Sequence, residues 1–435
     1  MLKRKAMDAL INWQNNNDGQ ALLVSGARQV GKTYLIEQFI HKNYEHVVKF
    51  DLVDQVDVKK ALDVVSNSQE LFMALSAYAG SEMIPGKTVI FIDEVQECKE
   101  VLTLVKYLVQ RKGFDYILSG SLLGVELRDM RSAPVGYLHV LDMYPLDFKE
   151  FCWANGLGDD AWAEAFTSYS EKRPVFLAVH KRLITLFHWY LVTGGMPQAV
   201  DAFTSSQNIS LVRERQEDIL RLYRYDISKY AEQGRRLAIR EIYDQMPAQL
   251  DSQSKRFNFS TIAPKGTYER YKDDFLWLID AGVAIPVRNV REPKHPLRLV
   301  EDRSFFKLFI NDVGLLTAAC GIEPVRNILA NDVDVNYGSI YENVVAQELS
   351  AHGSSVRFFR NRKQGELDFV IEYGEKIVPI EVKSGKNYKR HSALNNVLDV
   401  KNYGIDQAIV LCEDNVSVSG KIVYLPVYMV AFIGA

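Results

Sequence analysis

The chain has 435 residues, too many for one hydrophobic core, so two or three domains are expected. Hydrophobic residues make up 47% and charged residues 25%, the balance of a soluble globular protein, and a net charge of −3 offers no global attraction to nucleic acid. Any basic surface must therefore be local. Cys98, Cys152, Cys320 and Cys412 lie far apart with no Cys-x-x-Cys pair, which argues against a disulfide framework or a zinc site and for a reducing compartment. No run of ~18 apolar residues occurs, so no transmembrane helix is expected. Asp8 and Asn15–Asp18 interrupt any signal-peptide core behind Lys3, Arg4 and Lys5, and a cytoplasmic location is expected.

Met1–Trp13 reads as an amphipathic helix. Ala21–Val24 is an apolar run that reads as a buried strand, and Tyr34–Ile40 has helical spacing. Between them stands Gly26-Ala27-Arg28-Gln29-Val30-Gly31-Lys32-Thr33, which fits G-x-x-x-x-G-K-[ST] in the strand–loop–helix context that gives this pattern meaning. Gly26 and Gly31 let backbone wrap phosphates with no Cβ in the way. The loop N–H groups and the helix N-terminus supply positive partial charge. Lys32 is expected to reach the β- and γ-phosphates, and the Thr33 hydroxyl to hold Mg²⁺.

Val47–Leu52 is a second strand, and Lys59–Ala79 reads as broadly helical. Thr88-Val-Ile-Phe-Ile-Asp93-Glu94 is a buried strand running into two carboxylates, the Walker B pattern. Asp93 is expected to hold Mg²⁺ and Glu94 to polarise an attacking water, which favours hydrolysis over transfer to a substrate hydroxyl. Tyr116-Ile-Leu-Ser119-Gly-Ser121 is a further buried strand ending in hydroxyls. Ser119 or Ser121, with Ser121 preferred, is placed to sense a γ-phosphate.

From about residue 156 the pattern turns helical. Val175–Val192 is a helix broken by Gly194-Gly-Met-Pro197, and Leu211–Tyr230 is a long helix carrying Arg213, Arg215, Arg221 and Arg224. Pairing of these arginines with Glu214, Glu217 and Asp218 is the simpler expectation. Ile239–Leu250, Phe259–Ile262, Thr267–Asp280 and Gly282–Val290 read as helix, turn, helix and hairpin, the order of a winged helix. Nine Lys/Arg against five Asp/Glu between Ser254 and Leu299 give a modest basic bias. Asp273 and Asp274 weaken it on the second helix, beside Glu269, Arg270 and Lys272.

In the last hundred residues, Gln364–Ile371 alternates as a strand, Tyr373-Gly374 turns it, and Lys376–Lys383 returns. Glu381 and Lys383 lie two apart and face one side of the sheet, with Asp368 on the neighbouring strand. This is the arrangement of a D…(D/E)-x-K nuclease. Asp368 and Glu381 would ligate Mg²⁺ or Mn²⁺, Lys383 would orient the attacking water, and Glu342 on the helix Tyr341–Leu349 would be the additional acid. Lys386, Lys389, Arg390 and His391 follow as candidate phosphate contacts.

The motifs GARQVGKT, FIDEVQ, LSGSLLG and Tyr144–Phe151 (YPLDFKEF), with Tyr190–Val200, Phe309–Leu316 and Tyr341–Leu349, resemble a family of AAA-type P-loop ATPases of bacteria and archaea. Its C-terminal region is of unknown function and here resembles a PD-(D/E)xK restriction-endonuclease-like domain. The resemblance spans nearly the whole chain. It implies an α/β fold: a P-loop parallel-sheet domain over 1–155, a helical lid over 156–235, a winged-helix-like domain over 236–330 and a smaller α/β nuclease-like domain over 331–435. It further implies ATP and Mg²⁺ as cofactors and an ATP-hydrolysing switch. By analogy it adds nucleic-acid handling, with DNA as partner and defence against foreign DNA as the setting. The competing reading is a nucleotide-switched signalling or assembly protein whose tail only binds. No membrane partner is expected, and homo-oligomerisation is left open. Relatives often carry a basic residue after a glycine just ahead of the YPLDF segment. Here Pro134-Val-Gly136-Tyr137 has none, although Arg128 and Arg131 lie nearby as candidates, and slow hydrolysis is therefore expected.

Overall fold

The computed structural model describes residues 2–16, 19–121, 136–252, 255–330 and 337–434. Arg128, Arg131 and Pro134 lie outside the described residues. The chain forms two compact units: one comprises Arg4–Tyr144 with Asp280–Gly282, the other Met1–Lys3, Pro145–Ile279 and Val283–Ala435.

In the first unit the strands are β1 (Ala21–Ser25), β2 (His46–Asp51), β3 (Thr88–Asp93), β4 (Asp115–Gly120) and β5 (Leu138–Asp142). They pair in the order β2-β3-β4-β1-β5, all parallel. Every residue of β3 is buried, as a strand covered on both faces requires. Leu23, Phe50 and Ile92 from the strands share a core with Leu71, Leu75, Leu102 and Val105 from the helices. The order sets β4 between β1 and β3, so the C-terminal ends of all three open on one edge, where open α/β sheets take their ligands.

The segment expected to be one helix over Lys59–Ala79 is two, Val56–Asp63 and Ser68–Tyr78. The break has a local cause. The Asn67 side chain accepts hydrogen bonds from the Gln69 and Glu70 amides, 3.0 Å each, and starts a new helix.

The second unit holds an eight-stranded mixed sheet among the described residues, in the order β12-β13-β11-β10-β9-β8-β6-β7. Its strands are β6 (Ala284–Val290), β7 (Glu301–Ile310), β8 (Arg357–Asn361), β9 (Gly365–Tyr373), β10 (Lys376–Val382), β11 (Ala408–Cys412), β12 (Ser417–Ser419) and β13 (Ile422–Pro426). The helices Arg236–Asp251 and Tyr268–Asp280 precede the β6–β7 hairpin in the order read from sequence. The hairpin is not a free-standing wing, because β6 also pairs in parallel with β8. The helix Gly338–Ala351 is buried from Ile340 to Leu349 and packs on β6, β7 and β10. Among the described residues no helix is long and apolar enough to cross a membrane.

Candidate functional site

The glycine loop follows β1 and turns directly into the helix Lys32–Asn43. Gly26 has φ +152°, and a Cβ there would lie 2.2 Å from the Met143 carbonyl oxygen, so only glycine fits. Gln29 at φ 67° and Gly31 at φ 91° also adopt left-handed backbone, and this curls the loop. The Lys32 ammonium donates to the Gly26 and Ala27 carbonyls, 2.9 Å each, which folds it over the concavity where phosphate oxygens belong. The buried Arg4 guanidinium donates to the Val30 carbonyl at 3.0 Å and the Tyr144 carbonyl at 2.7 Å, bracing the loop from behind.

At the neighbouring strand ends, the Thr33 hydroxyl donates to Asp93 Oδ2 at 2.7 Å. The Ser119 hydroxyl donates to Asp93 Oδ1. Glu94 is held in left-handed backbone, φ 53° and ψ 45°, at the turn that leaves β3. Non-glycine residues held in that region are a feature of active sites. The Glu94 carboxylate accepts from the Ser121 hydroxyl at 3.2 Å and from the Gln96 amide. Thr33, Asp93, Glu94, Ser119 and Ser121 thus converge at one sheet edge. A hydroxyl and a carboxylate in contact form an all-oxygen donor set that fits a hard cation such as Mg²⁺. Sequence reading missed Arg4 and Gln96. Arg4 sat within the basic run Lys3–Lys5, and Gln96 follows the two acids by two residues.

The second constellation also comes together. The hairpin β9–β10 places Asp368 across from Glu381, and Asp368 Oδ2 accepts from the Val382 amide at 2.8 Å. The Lys383 ammonium lies 3.0 Å from Glu381 Oε2. Burial pushes the Glu381 carboxyl well above its usual range, and the Asp368 carboxylate adds to the push while Lys383 opposes it. For Lys383 burial works against the charge, but the carboxylates of Glu381, Asp368 and Glu342 outweigh it and raise the ammonium.

Two lysines that the sequence did not single out complete this cluster. Lys307 on β7 is fully buried, 3.4 Å from Glu342 Oε2 and 2.8 Å from Glu366 Oε1. Lys255 also pairs with Glu342. Asp368 and Glu381 form an oxygen pair that fits a divalent ion, whereas Glu342 already has two ammonium partners. His391 is buried between Tyr424 and Asn395, hydrogen-bonded at 2.9 and 3.1 Å, and is placed for packing rather than for phosphate.

Three arginines of the helix Ile209–Tyr230 follow the simpler expectation: Arg221 pairs with Glu217 and Asp218, Arg215 stands 3.9 Å from Glu214 and 4.0 Å from Asp218, and Arg213 stands 3.8 Å from Glu217 while donating to the Gly321 carbonyl at 2.9 Å. Arg224 departs from it and bonds Asp244 on the helix Arg236–Asp251 at 2.6 Å.

Residues 18–152 match the family model described as an AAA domain, and this stretch is an AAA-type P-loop nucleotide-binding domain. Residues 184–326 and 337–430 match two models described only as domains of unknown function, DUF8612 and DUF4143. No curated protein matches the chain. Similar solved structures include a Walker-type ATPase of Pyrococcus abyssi, at 16% identity and TM-score 0.43, covering 74% of this chain and 96% of that one. They also include Aeropyrum pernix ORC1 in complex with DNA, at 12% identity and TM-score 0.28, covering 76% and 91%. A third is the Thermotoga maritima RuvB Holliday junction branch migration motor, at 11% identity and TM-score 0.29, covering 68% and 91%.

Proposed function

We propose that the protein is an ATP-hydrolysing switch whose C-terminal region handles nucleic acid. The observation behind the first part is the convergence of Thr33, Asp93, Glu94 and Ser121 at the strand edge that the phosphate loop also borders. The loop amides and Lys32 would bind the phosphates. Thr33 and Asp93 would hold Mg²⁺, which screens phosphate charge when bound. Glu94 would accept a proton from the attacking water, and Ser121, bonded to Glu94, is the hydroxyl suited to register the γ-phosphate. Lys32→Ala should abolish ATP binding, and retained binding would remove the basis of the reading.

The second part rests on Asp368, Glu381 and Lys383, with Glu342 as the fourth member. Asp368 and Glu381 would ligate a divalent ion, and Lys383 would orient water against a phosphodiester. A basic bias in the preceding 254–299 stretch is compatible with a DNA partner. One observation favours the rival, a tail that binds without cutting: Lys255 and Lys307 already neutralise Glu342. Supercoiled plasmid with Mg²⁺ or Mn²⁺, with and without ATP, separates the two. Cleavage lost in Lys383→Ala supports a nuclease. Absence of cleavage with salt-dependent DNA binding supports the rival, and absence of both refutes nucleic-acid handling.

A further inference from the structure

A cavity inside the second unit belongs to neither site above. Its volume is about 570 Å³, the size of a pocket for a small molecule. The helices Ile209–Tyr230, Arg236–Asp251 and Ile322–Leu329 supply most of its wall, and Ile340 of the helix Gly338–Ala351 adds to it.

The bonding of one wall helix is interrupted at the cavity. Pro247 lies inside the helix Arg236–Asp251. Proline has no N–H, so the Tyr243 carbonyl one turn earlier lacks its usual helical donor. Tyr243 and Pro247 both line the cavity. The Tyr243 hydroxyl is buried and has no hydrogen-bond partner among the described residues. Buried polar groups are nearly always paired, so an orphan beside a cavity calls for a partner from outside the chain.

The charge points the same way. Asp244, Asp251 and Glu323 line the cavity against one cation, Arg224, so three negative charges and one positive leave −2. Asp244 is already engaged, with Arg224 at 2.6 Å and Arg240 at 3.7 Å. The side chains of Asp251 and Glu323 have no ion-pair or hydrogen-bond partner among the described residues. The unmet groups are thus two carboxylates, a carbonyl and a hydroxyl, and all four can accept a hydrogen bond. A donor-rich cation satisfies them together. A bare metal ion does not suit the space: it needs converging oxygens, and neither acid belongs to a close group of three metal-ligating side chains among the described residues. Two separate acids match two ammonium groups, and the buried apolar wall of Leu220, Ile310 and Ile340 matches the methylenes between them.

We propose that this cavity binds a linear aliphatic polyamine, with its ammonium groups on Asp251 and Glu323 and its methylenes against Leu220 and Ile340. The site is independent of both the phosphate loop and the Asp368–Lys383 cluster.

The test titrates the full chain with spermidine by calorimetry. Asp251, Glu323 and Ala248 are exposed positions of the wall, so Asp251→Asn, Glu323→Gln and the cavity-filling Ala248→Trp should fold, and circular dichroism checks that they do. The wild type is expected to bind one spermidine per chain. Each charge variant should bind at least about fivefold more weakly, and the double charge variant and Ala248→Trp should show no saturable binding. n-Butylamine, with one ammonium, should bind the wild type at least about tenfold more weakly than spermidine does. Glu269→Gln, which removes an exposed acid on the helix Tyr268–Asp280, should bind as the wild type does. No saturable binding by the wild type, or equal binding by the wild type and the folded double variant, would overturn the site. A loss in Glu269→Gln equal to that in Asp251→Asn would reduce the effect to attraction by an acidic surface and overturn it as well. Displacement of spermidine by equimolar Mg²⁺ would overturn the choice of an amine. Should the charge variants fail to fold, undiminished binding by Ala248→Trp refutes the proposal.

Discussion

Thr33 and Asp93 stand 60 positions apart and meet through a 2.7 Å hydrogen bond between hydroxyl and carboxylate. The contact exists because β3 and β1 flank β4 in a parallel sheet, which brings the end of the Walker B strand to the first turn of the phosphate-loop helix. Asp93→Ala should therefore leave the fold intact while cutting Mg²⁺-dependent nucleotide affinity at least about tenfold. Titration of a fluorescent nucleotide with and without Mg²⁺ measures this. Equal affinities for wild type and variant in Mg²⁺ would remove Asp93 from the site.

Gly26→Ala should be severe for a steric reason. Its Cβ would lie 2.2 Å from the Met143 carbonyl oxygen, and backbone must move to admit it. Loss of nucleotide binding is expected, with stability lower by about 1–3 kcal/mol. Calorimetry and thermal melting report the two effects separately.

Arg4→Ala should act on the same loop from behind. It removes two charge-assisted hydrogen bonds, to Val30 and Tyr144, and the expected cost is about 2 kcal/mol of stability. Nucleotide affinity should fall as well, because the loop loses its brace. Arg4→Lys should recover only part of the loss, since an ammonium cannot match the guanidinium fork.

Asp312 makes a pH prediction. It is fully buried, and burial raises its carboxyl to about 6, although the amides of Gly195, Leu315 and Gly314 favour the charged form. Because the folded value exceeds the ordinary 3.8, its favourable contribution is complete below 3.8 and is lost as pH rises towards 6. Relative to Asp312→Asn, the wild type should lose up to about 3 kcal/mol between those limits. Denaturant melts of both proteins from acid to neutral pH check it. A wild-type stability that rises relative to the variant over that window contradicts the sign.

Lys307→Met should destabilise the second unit by about 1–3 kcal/mol, because Glu342 then keeps only Lys255 and Glu366 only Arg360. Adding Glu342→Gln should recover part of that loss. A double-mutant cycle with no coupling would show that the ion pair does not hold the cluster together.

These predictions separate what was legible in the chain from what was not. The phosphate loop and β3 were readable because each is a continuous run whose chemistry lies in adjacent residues. The hairpin carrying Asp368, Glu381 and Lys383 was readable for the same reason. Lys307 and Lys255 were not, because they lie 35 and 87 positions from Glu342 and nothing local marks a lysine as buried. The division of the helix after β2 was legible in principle. Ser66-Asn67-Ser68 with Glu70 is a capping pattern, and the helical periodicity on either side masked it. The pairing of β6 with β8 depends on long-range strand register, which periodicity does not encode.

The central claim is that Glu94 activates water for hydrolysis of bound ATP. The direct measurement is phosphate release under single-turnover conditions by wild type and Glu94→Gln, with ATP affinity determined for each. The account predicts that Glu94→Gln binds ATP within about threefold of wild type and hydrolyses it at least about a hundredfold more slowly. Hydrolysis by Glu94→Gln at the wild-type rate, in a protein whose Lys32→Ala variant no longer binds ATP, would contradict it.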